Sequence, residues 1–201
     1  TSRQQDIVQL IKTSGEALGK LLNDTLDLSQ IEAAQFELYQ TPFNLLEEIE
    51  AATNLFRIAA SQKNLDFEVD TNKVTCEQII GDAARIRQIV SNLIANAVKF
   101  TDNGTIRIRI RSSESPYSPG YCILSVLIVD TGIGISRDQK ANLFERFQQG
   151  DITIRRKYGG TGLGLSISQE LAQAMNGRIS VRSIPGKGSA FRFTVPLKIA
   201  E

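Results

Sequence analysis

The sequence predicts a layered α/β domain preceded by one long helix that belongs to a helical bundle. Three observations carry this expectation. Apolar residues recur at three- and four-residue steps over residues 7–31. Beyond residue 42, helix-like stretches alternate with strand-like ones. The hydrophobic share of the 201 residues, 41%, is enough to bury a sizeable core.

Ile7, Leu10, Ile11, Leu18, Leu21, Leu22, Leu28 and Ile31 line one wide face of the first helix. A lone helix of that length gains too little from its own hydrogen bonds, so the face needs a second helix to cover it. Residues 39–42 end the pattern, because Pro42 lacks an amide hydrogen and disfavours a helical residue before it. The expected boundary therefore separates residues 1–39 from 40–201. A helix is expected over residues 46–59, a strand over 65–69, and a strong helix over 82–100 with Asp82 capping its start. Residues 105–111 alternate Ile with Arg, which places Arg107, Arg109 and Arg111 on a solvated sheet face. Residues 112–120, rich in Ser and Pro, read as a loop into the apolar strand 123–129. A helix over 163–175 closed by Gly177, and strands over 178–182 and 190–195, complete the chain.

Charge and composition exclude several classes of function. The 23 basic and 22 acidic residues are spread along the chain, leaving +1 overall and no footprint for nucleic acid. Two cysteines make no disulfide framework, and the first residues do not resemble a signal peptide. A reducing, cytoplasmic compartment is expected. No apolar run approaches ~20 residues, so these residues make no membrane contact of their own, although a longer parent protein is compatible with an anchor.

Three short segments carry chemistry. On the helix at residues 92–99, Asn92 and Asn96 stand four apart on one face, with Lys99 near them. A carboxamide oxygen suits one vertex of a Mg²⁺ octahedron completed by phosphate and water. Two Asn on an exposed helix face would look the same. Residues 128–135 place Asp130 directly after an apolar strand, where an ionised carboxylate needs hydrogen-bond donors such as an exocyclic amine. Gly132 and Gly134 then leave room for a flat base, although a capping Asp followed by turn glycines also fits. Residues 159–165 hold four glycines, among them Gly160, Gly162 and Gly164, with Thr161 and Leu163 between, and lead into a helix. Backbone amides approaching phosphate explain that density better than a hinge does, and the spacing is neither a Walker loop nor a dinucleotide fingerprint. Between the second and third segments, Phe144 and Phe147 lead into a polar stretch, 148–158, with Arg155, Arg156 and Lys157 at its end. Aromatic anchors around a mobile polar segment describe a lid, and the basic trio would meet outer phosphates. Residues 186–193 add a tight turn entering a strand.

Together these segments resemble the catalytic core of sensor histidine kinases, within the ATP-binding superfamily that also holds gyrase, the Hsp90 chaperones and the mismatch-repair ATPases. Residues 92–101 are similar to the family's N box, 130–134 to its G1 box, 144–147 to its F box, 159–165 to its G2 box and 186–193 to its G3 motif. The resemblance covers about residues 43–197, and residues 21–33 look like the second helix of the dimerisation and phosphotransfer hairpin. It implies the Bergerat ATP-binding fold, a two-layer sandwich of a mixed sheet and three main helices. It also implies that Asp130 receives the adenine amino group, Asn96 binds Mg²⁺, Asn92 and Lys99 assist at the phosphates, and residues 148–158 form the ATP lid. Phe147, Arg156, Gly132, Gly134 and the G2 residues Gly160, Thr161, Gly162, Leu163 and Gly164 would complete the ATP site. The implied partners are a response regulator receiver domain and a second copy of the parent protein.

The departure from the family is as informative as the match. The sequence has no His, and it begins about where the turn between the hairpin helices would fall. The expected activity is therefore that of a kinase core passing the γ-phosphoryl to a His on a helix outside this chain. An ATPase driving conformational change and a non-catalytic nucleotide-binding scaffold are the competing readings. In the ATPase branches a Glu usually stands at the position matching Asn92 and activates water; Asn92 is neutral and a poor base.

Overall fold

The computed structural model describes residues 37–145 and 162–200, together with scattered positions between residues 4 and 29. The chain forms two compact units, Thr1–Glu37 and Leu38–Glu201. In the first, every described position from Gln4 to Ser29 is helical. Ile7, Ile11, Leu18 and Leu22 of the expected apolar face are exposed, as are Val8 and Leu26.

The second unit is built from β1 (Thr41–Asn44), α1 (Leu45–Gln62), β2 (Asp66–Val74), β3 (Gln78–Gly81), α2 (Ala83–Phe100), β4 (Thr105–Glu114), β5 (Tyr121–Asp130), α3 (Arg137–Ala141), α4 (Gly164–Ala174), β6 (Arg178–Ile184) and β7 (Gly188–Ile199). The strands make one seven-stranded sheet in the order β1-β3-β7-β5-β4-β2, with β6 on the edge of β7 that β3 leaves uncovered. Only β2 and β4 run parallel, so the sheet is mixed. The three main helices lie on one face: α1 against β2, α2 against β5 and β7, and α4 against β6 and β7. This is the two-layer α/β arrangement the sequence predicts.

Local chemistry explains the boundaries. The Asn44 side chain caps α1 by accepting from the amides of Leu46 and Glu47 at 2.9 and 3.2 Å. At the other end, Asn64 adopts φ 55° and the Leu65 amide returns to the Ala60 carbonyl, a Schellman ending. Asp82 is buried and caps α2: one oxygen accepts from the Arg85 amide at 3.0 Å and the other from the Tyr39 amide at 3.1 Å. The core stripe of α2, Ile86, Ile89, Val90, Leu93, Ile94, Ala97 and Val98, keeps strict helical spacing. On β4, Ile106, Ile108 and Ile110 are buried while Arg107, Arg109 and Arg111 face water, and Arg107 pairs with Glu68 at 2.7 Å.

Four features differ from the sequence reading. Strands β1 and β3 were not expected; each has four residues, too few for alternation to register, and Pro42 is tolerated because β1 is an edge strand. The short helix α3 was likewise not expected. It starts at a capping box in which Ser136 and Gln139 satisfy each other's amides. Residues 112–114 belong to β4 rather than to a loop, because the Ser112 hydroxyl is buried and bonded to the Cys76 amide and carbonyl, both at 2.9 Å. At the end of α4 the left-handed residue is Asn176, φ 57°, and Gly177 contributes its amide to the Ala172 carbonyl at 2.7 Å. Gly177 is required for another reason: a Cβ there would lie 2.5 Å from the Thr194 carbonyl of β7.

Both cysteines are buried and free. Burial, with Cys76 as the neighbouring group, pushes the Cys122 thiol up to about 12 and leaves it protonated. Among the described residues, no helix is long and apolar enough to cross a membrane. Removing the shared cap of α2 and the Tyr39 amide, as in Asp82→Ala, is expected to cost about 1–2 kcal/mol of stability. Urea unfolding measures this, and an unchanged midpoint would show that the cap contributes nothing.

Candidate functional site

The inward row of β5, Cys122, Leu124, Val126, Ile128 and Asp130, is buried throughout and ends in a carboxylate. Asp130 is only 6% exposed and lies in register with Ile106 of β4 and Ser189 of β7. Its Oδ1 accepts two main-chain hydrogen bonds, from the Gly132 amide at 2.9 Å and the Ser189 amide at 3.2 Å. Oδ2 accepts none among the described residues. The carboxylate is thus fixed in orientation while one oxygen remains available. Burial raises its pKa above the ordinary 3.8, and the two amides offset that only in part.

The loop after Asp130 is pressed against two neighbours. The Phe100 carbonyl at the end of α2 accepts from the Ile133 amide at 3.2 Å, and a Cβ on Gly132 would collide with that same carbonyl. Gly134 has φ 69° and closes on the Ile184 carbonyl, so a side chain there would meet both strain and a backbone atom. The Ile133 carbonyl in turn accepts from the Gly186 amide at 2.8 Å, and the Ser183 hydroxyl accepts from the Ile135 amide at 2.8 Å. The turn between β6 and β7 is therefore a wall of the same loop.

On α2, Asn92, Asn96 and Lys99 are half-buried along one flank of the core stripe. They differ in use. The Asn92 amide nitrogen donates to the Ser168 hydroxyl at 2.9 Å, and its Oδ1 would lie 2.5 Å from a Cβ on Gly164, so Asn92 fastens α2 to the N-terminal half of α4. The Asn96 carboxamide makes no hydrogen bond among the described residues. The Lys99 ammonium stands 4.8 Å from the centroid of the Phe100 ring.

Gly162 has φ 73°, and the buried Leu163 starts α4 without any side-chain cap. The first amides of α4, beginning at Gly164, receive no capping side chain from the N-cap residue, and helix-start amides of this kind suit an anion. Of the other sequence-predicted positions, Phe144 is half-buried on the stretch after α3. Phe147, Arg156, Gly160, Thr161 and the expected lid lie outside the described residues. Main-chain groups that the sequence could not reveal, the Ser189 amide and the Phe100 carbonyl, complete the surroundings of Asp130.

A two-layer α/β domain in which the central strand β5 ends in a pinned Asp, beside an Asn-bearing helix, suits a nucleotide-binding site. Residues 81–199 match the family model described as histidine kinase-, DNA gyrase B-, and HSP90-like ATPase, and the chain belongs to that family. Its relatives are sensor kinases. The signal transduction histidine-protein kinase BarA of Escherichia coli (strain K12) is 37% identical over 199 residues, covering 99% of this chain and 22% of BarA. The autoinducer 2 sensor kinase/phosphatase LuxQ of Vibrio harveyi is 36% identical over 201 residues, covering 100% of this chain and 23% of LuxQ. The crystal structure of full-length ShkA in complex with AMPPNP superposes with a TM-score of 0.80 at 32% identity, covering 100% of this chain and 40% of ShkA. The chain thus spans under a quarter of the length of the two curated relatives.

The raised pKa of Asp130 has a consequence for stability. A carboxyl that holds its proton more tightly folded than unfolded supports the folded state at acid pH, and that support is lost as pH rises through the folded value. Subtracting the unfolding profile of Asp130→Asn from that of the parent chain should give a stability difference that declines as pH rises above 3.8 and then levels. A flat difference would show that Asp130 titrates normally.

Proposed function

We propose that residues 40–201 bind Mg-ATP as the catalytic core of a two-component sensor histidine kinase. We propose equally that residues 1–39 are the second helix of the dimerisation and phosphotransfer hairpin. The observation that carries the nucleotide reading is Asp130. A buried carboxylate with one oxygen held by two amides and the other unused is preorganised to accept from a fixed donor, and the adenine amino group is that donor. Gly132 and Gly134 let the loop beside it close on the Phe100 and Ile184 carbonyls. The groups present also fit Mg²⁺: Asn96 offers one unused neutral oxygen, and such an ion takes its remaining ligands from phosphate and water. When bound, Mg²⁺ neutralises phosphate charge. Lys99 adds a cation, and the start of α4 at Gly164, after the left-handed Gly162, suits the phosphates through its dipole and first amides.

With no imidazole in the sequence, the phosphoacceptor is a His on another helix, whose ring nitrogen takes the γ-phosphoryl as the bond to ADP breaks. The exposed apolar positions of the first unit, Ile7 to Leu26, suit a helix that pairs in a homodimer of the parent protein. The phosphoryl then passes to an Asp of a response regulator receiver domain. A hydrolytic ATPase is the second reading. Asn92 disfavours it, because a neutral amide already engaged by Ser168 cannot take a proton from water.

Calorimetry tests the assignments. Asp130→Ala should weaken ATP binding roughly 10- to 150-fold with the fold retained, the equivalent of losing one hydrogen bond to a charged group. Unchanged affinity removes Asp130 from the site. Asn96→Ala should abolish the Mg²⁺-dependent part of binding, and a parent chain indifferent to Mg²⁺ would contradict that role. Incubated alone with labelled ATP, the chain should form no acid-labile, base-stable phosphoprotein and hydrolyse slowly; steady turnover above ~1 s⁻¹ would favour the ATPase.

A further inference from the structure

Helix α2 ends where its chemistry lies, and a helix end has carbonyls to satisfy. The last four carbonyls of an α-helix lack intrahelical partners and carry the negative end of its dipole. Here the ammonium of Lys63 meets them: Nζ donates to the Val98 carbonyl at 2.7 Å, the Lys99 carbonyl at 3.2 Å and the Thr101 carbonyl at 3.3 Å. The one carbonyl between them that Lys63 does not take, that of Phe100, accepts from Ile133 in the loop after Asp130. Thr101 itself is fully buried and cannot call on solvent instead.

Lys63 is well placed to impose this order. It is the C-cap of α1, with its amide on the Ala60 carbonyl at 3.0 Å, and the Asn64 and Leu65 returns behind it fix the backbone from which the side chain extends. An ammonium has three donors and no acceptor, and three carbonyls receive it. A second tie between the same helices, Arg87 of α2 to Glu48 of α1 at 3.1 Å, lies on a partly exposed surface and holds the opposite end of α2. Lys63 alone, among these two ties, touches the turn that bears Lys99 and follows Asn96.

We infer that Lys63 is a positioning residue for the nucleotide site: by gathering the Val98, Lys99 and Thr101 carbonyls, it leaves the Phe100 carbonyl to the Asp130 loop and so sets α2 against that loop. The inference rests on the reading of Asp130 and Asn96 given above. It goes beyond it in assigning control of their separation to a side chain on neither element. Losing the ammonium frees three carbonyls to seek other donors, and the last turn of α2 then rotates away from Ile133.

Two variants, Lys63→Met, which keeps the aliphatic stem, and Lys63→Arg, which keeps the charge, test it against the parent chain. The readouts are amide NMR shifts of Gly132 and Ile133 without nucleotide, and ATP affinity measured well below each variant's unfolding transition. The Met variant should displace both amide signals and bind ATP about 5- to 20-fold more weakly, while Arg binds within about threefold of the parent. A Met variant that unfolds at lower temperature yet keeps the Ile133 shift and an affinity within about twofold would overturn the inference, leaving Lys63 as a stabiliser only. Should the Met variant not fold, an Arg variant that folds but binds more than about tenfold more weakly would overturn it as well, and one that binds like the parent supports it. If the parent chain itself fails to bind ATP, the nucleotide reading falls, while the amide shifts still report whether Lys63 sets the loop.

Discussion

Two hydrogen bonds to a single carboxylate oxygen organise this domain. Asp130 is the last inward residue of an otherwise apolar row, and burying an unsatisfied carboxylate there would cost more than a small domain can spare. The Gly132 and Ser189 amides offset part of that cost by binding Oδ1. To do so, the chain must turn sharply after β5, and the start of β7 must lie in register beside it. The glycines of the loop and the pairing of Asp130 with Ser189 are thus requirements of one buried charge, as much as of any ligand.

The second organising element is α2. One stripe of it is core, and the flank beside that stripe carries Asn92, Asn96 and Lys99. Core packing therefore fixes the azimuth of the polar flank, and nothing about the polar residues themselves needs to be rigid. The described ties of the helix include Asp82 to the Tyr39 amide at its start, Arg87 to Glu48 on α1, Asn92 to Ser168 on α4, and the Lys63 and Ile133 contacts at its end. The fold positions this flank, and among the described residues the Asn96 carboxamide and Oδ2 of Asp130 make no hydrogen bond.

Much of this was legible in the sequence, for physical reasons. The Ile and Arg of β4 alternate because one sheet face is covered by helices and the other is wet, and α2 announces itself by its stripe and by Asp82. Asp130 stood out because a carboxylate follows an apolar run. What escaped was of two kinds. Short strands such as β1 and β3 owe their state to pairing partners distant in sequence, Thr41 with Gly81 and Ile79 with Ile199, and four residues carry too little pattern to show it. The main-chain groups around Asp130 have no side-chain signature at all, and the Asn92 partner lies 76 residues away. The Lys63 clamp escaped likewise, since a lysine after a helix looks like any solvated charge until its three carbonyls are seen.

The central claim is that the unused oxygen of Asp130 reads a hydrogen-bond donor on the base. Competition between adenosine and inosine triphosphates tests it most directly, because inosine replaces the exocyclic amine with a carbonyl and leaves sugar, phosphates and ring shape in place. The account predicts that the inosine nucleotide binds roughly 10- to 150-fold more weakly to the unmodified chain. Equal affinities for the two would contradict it.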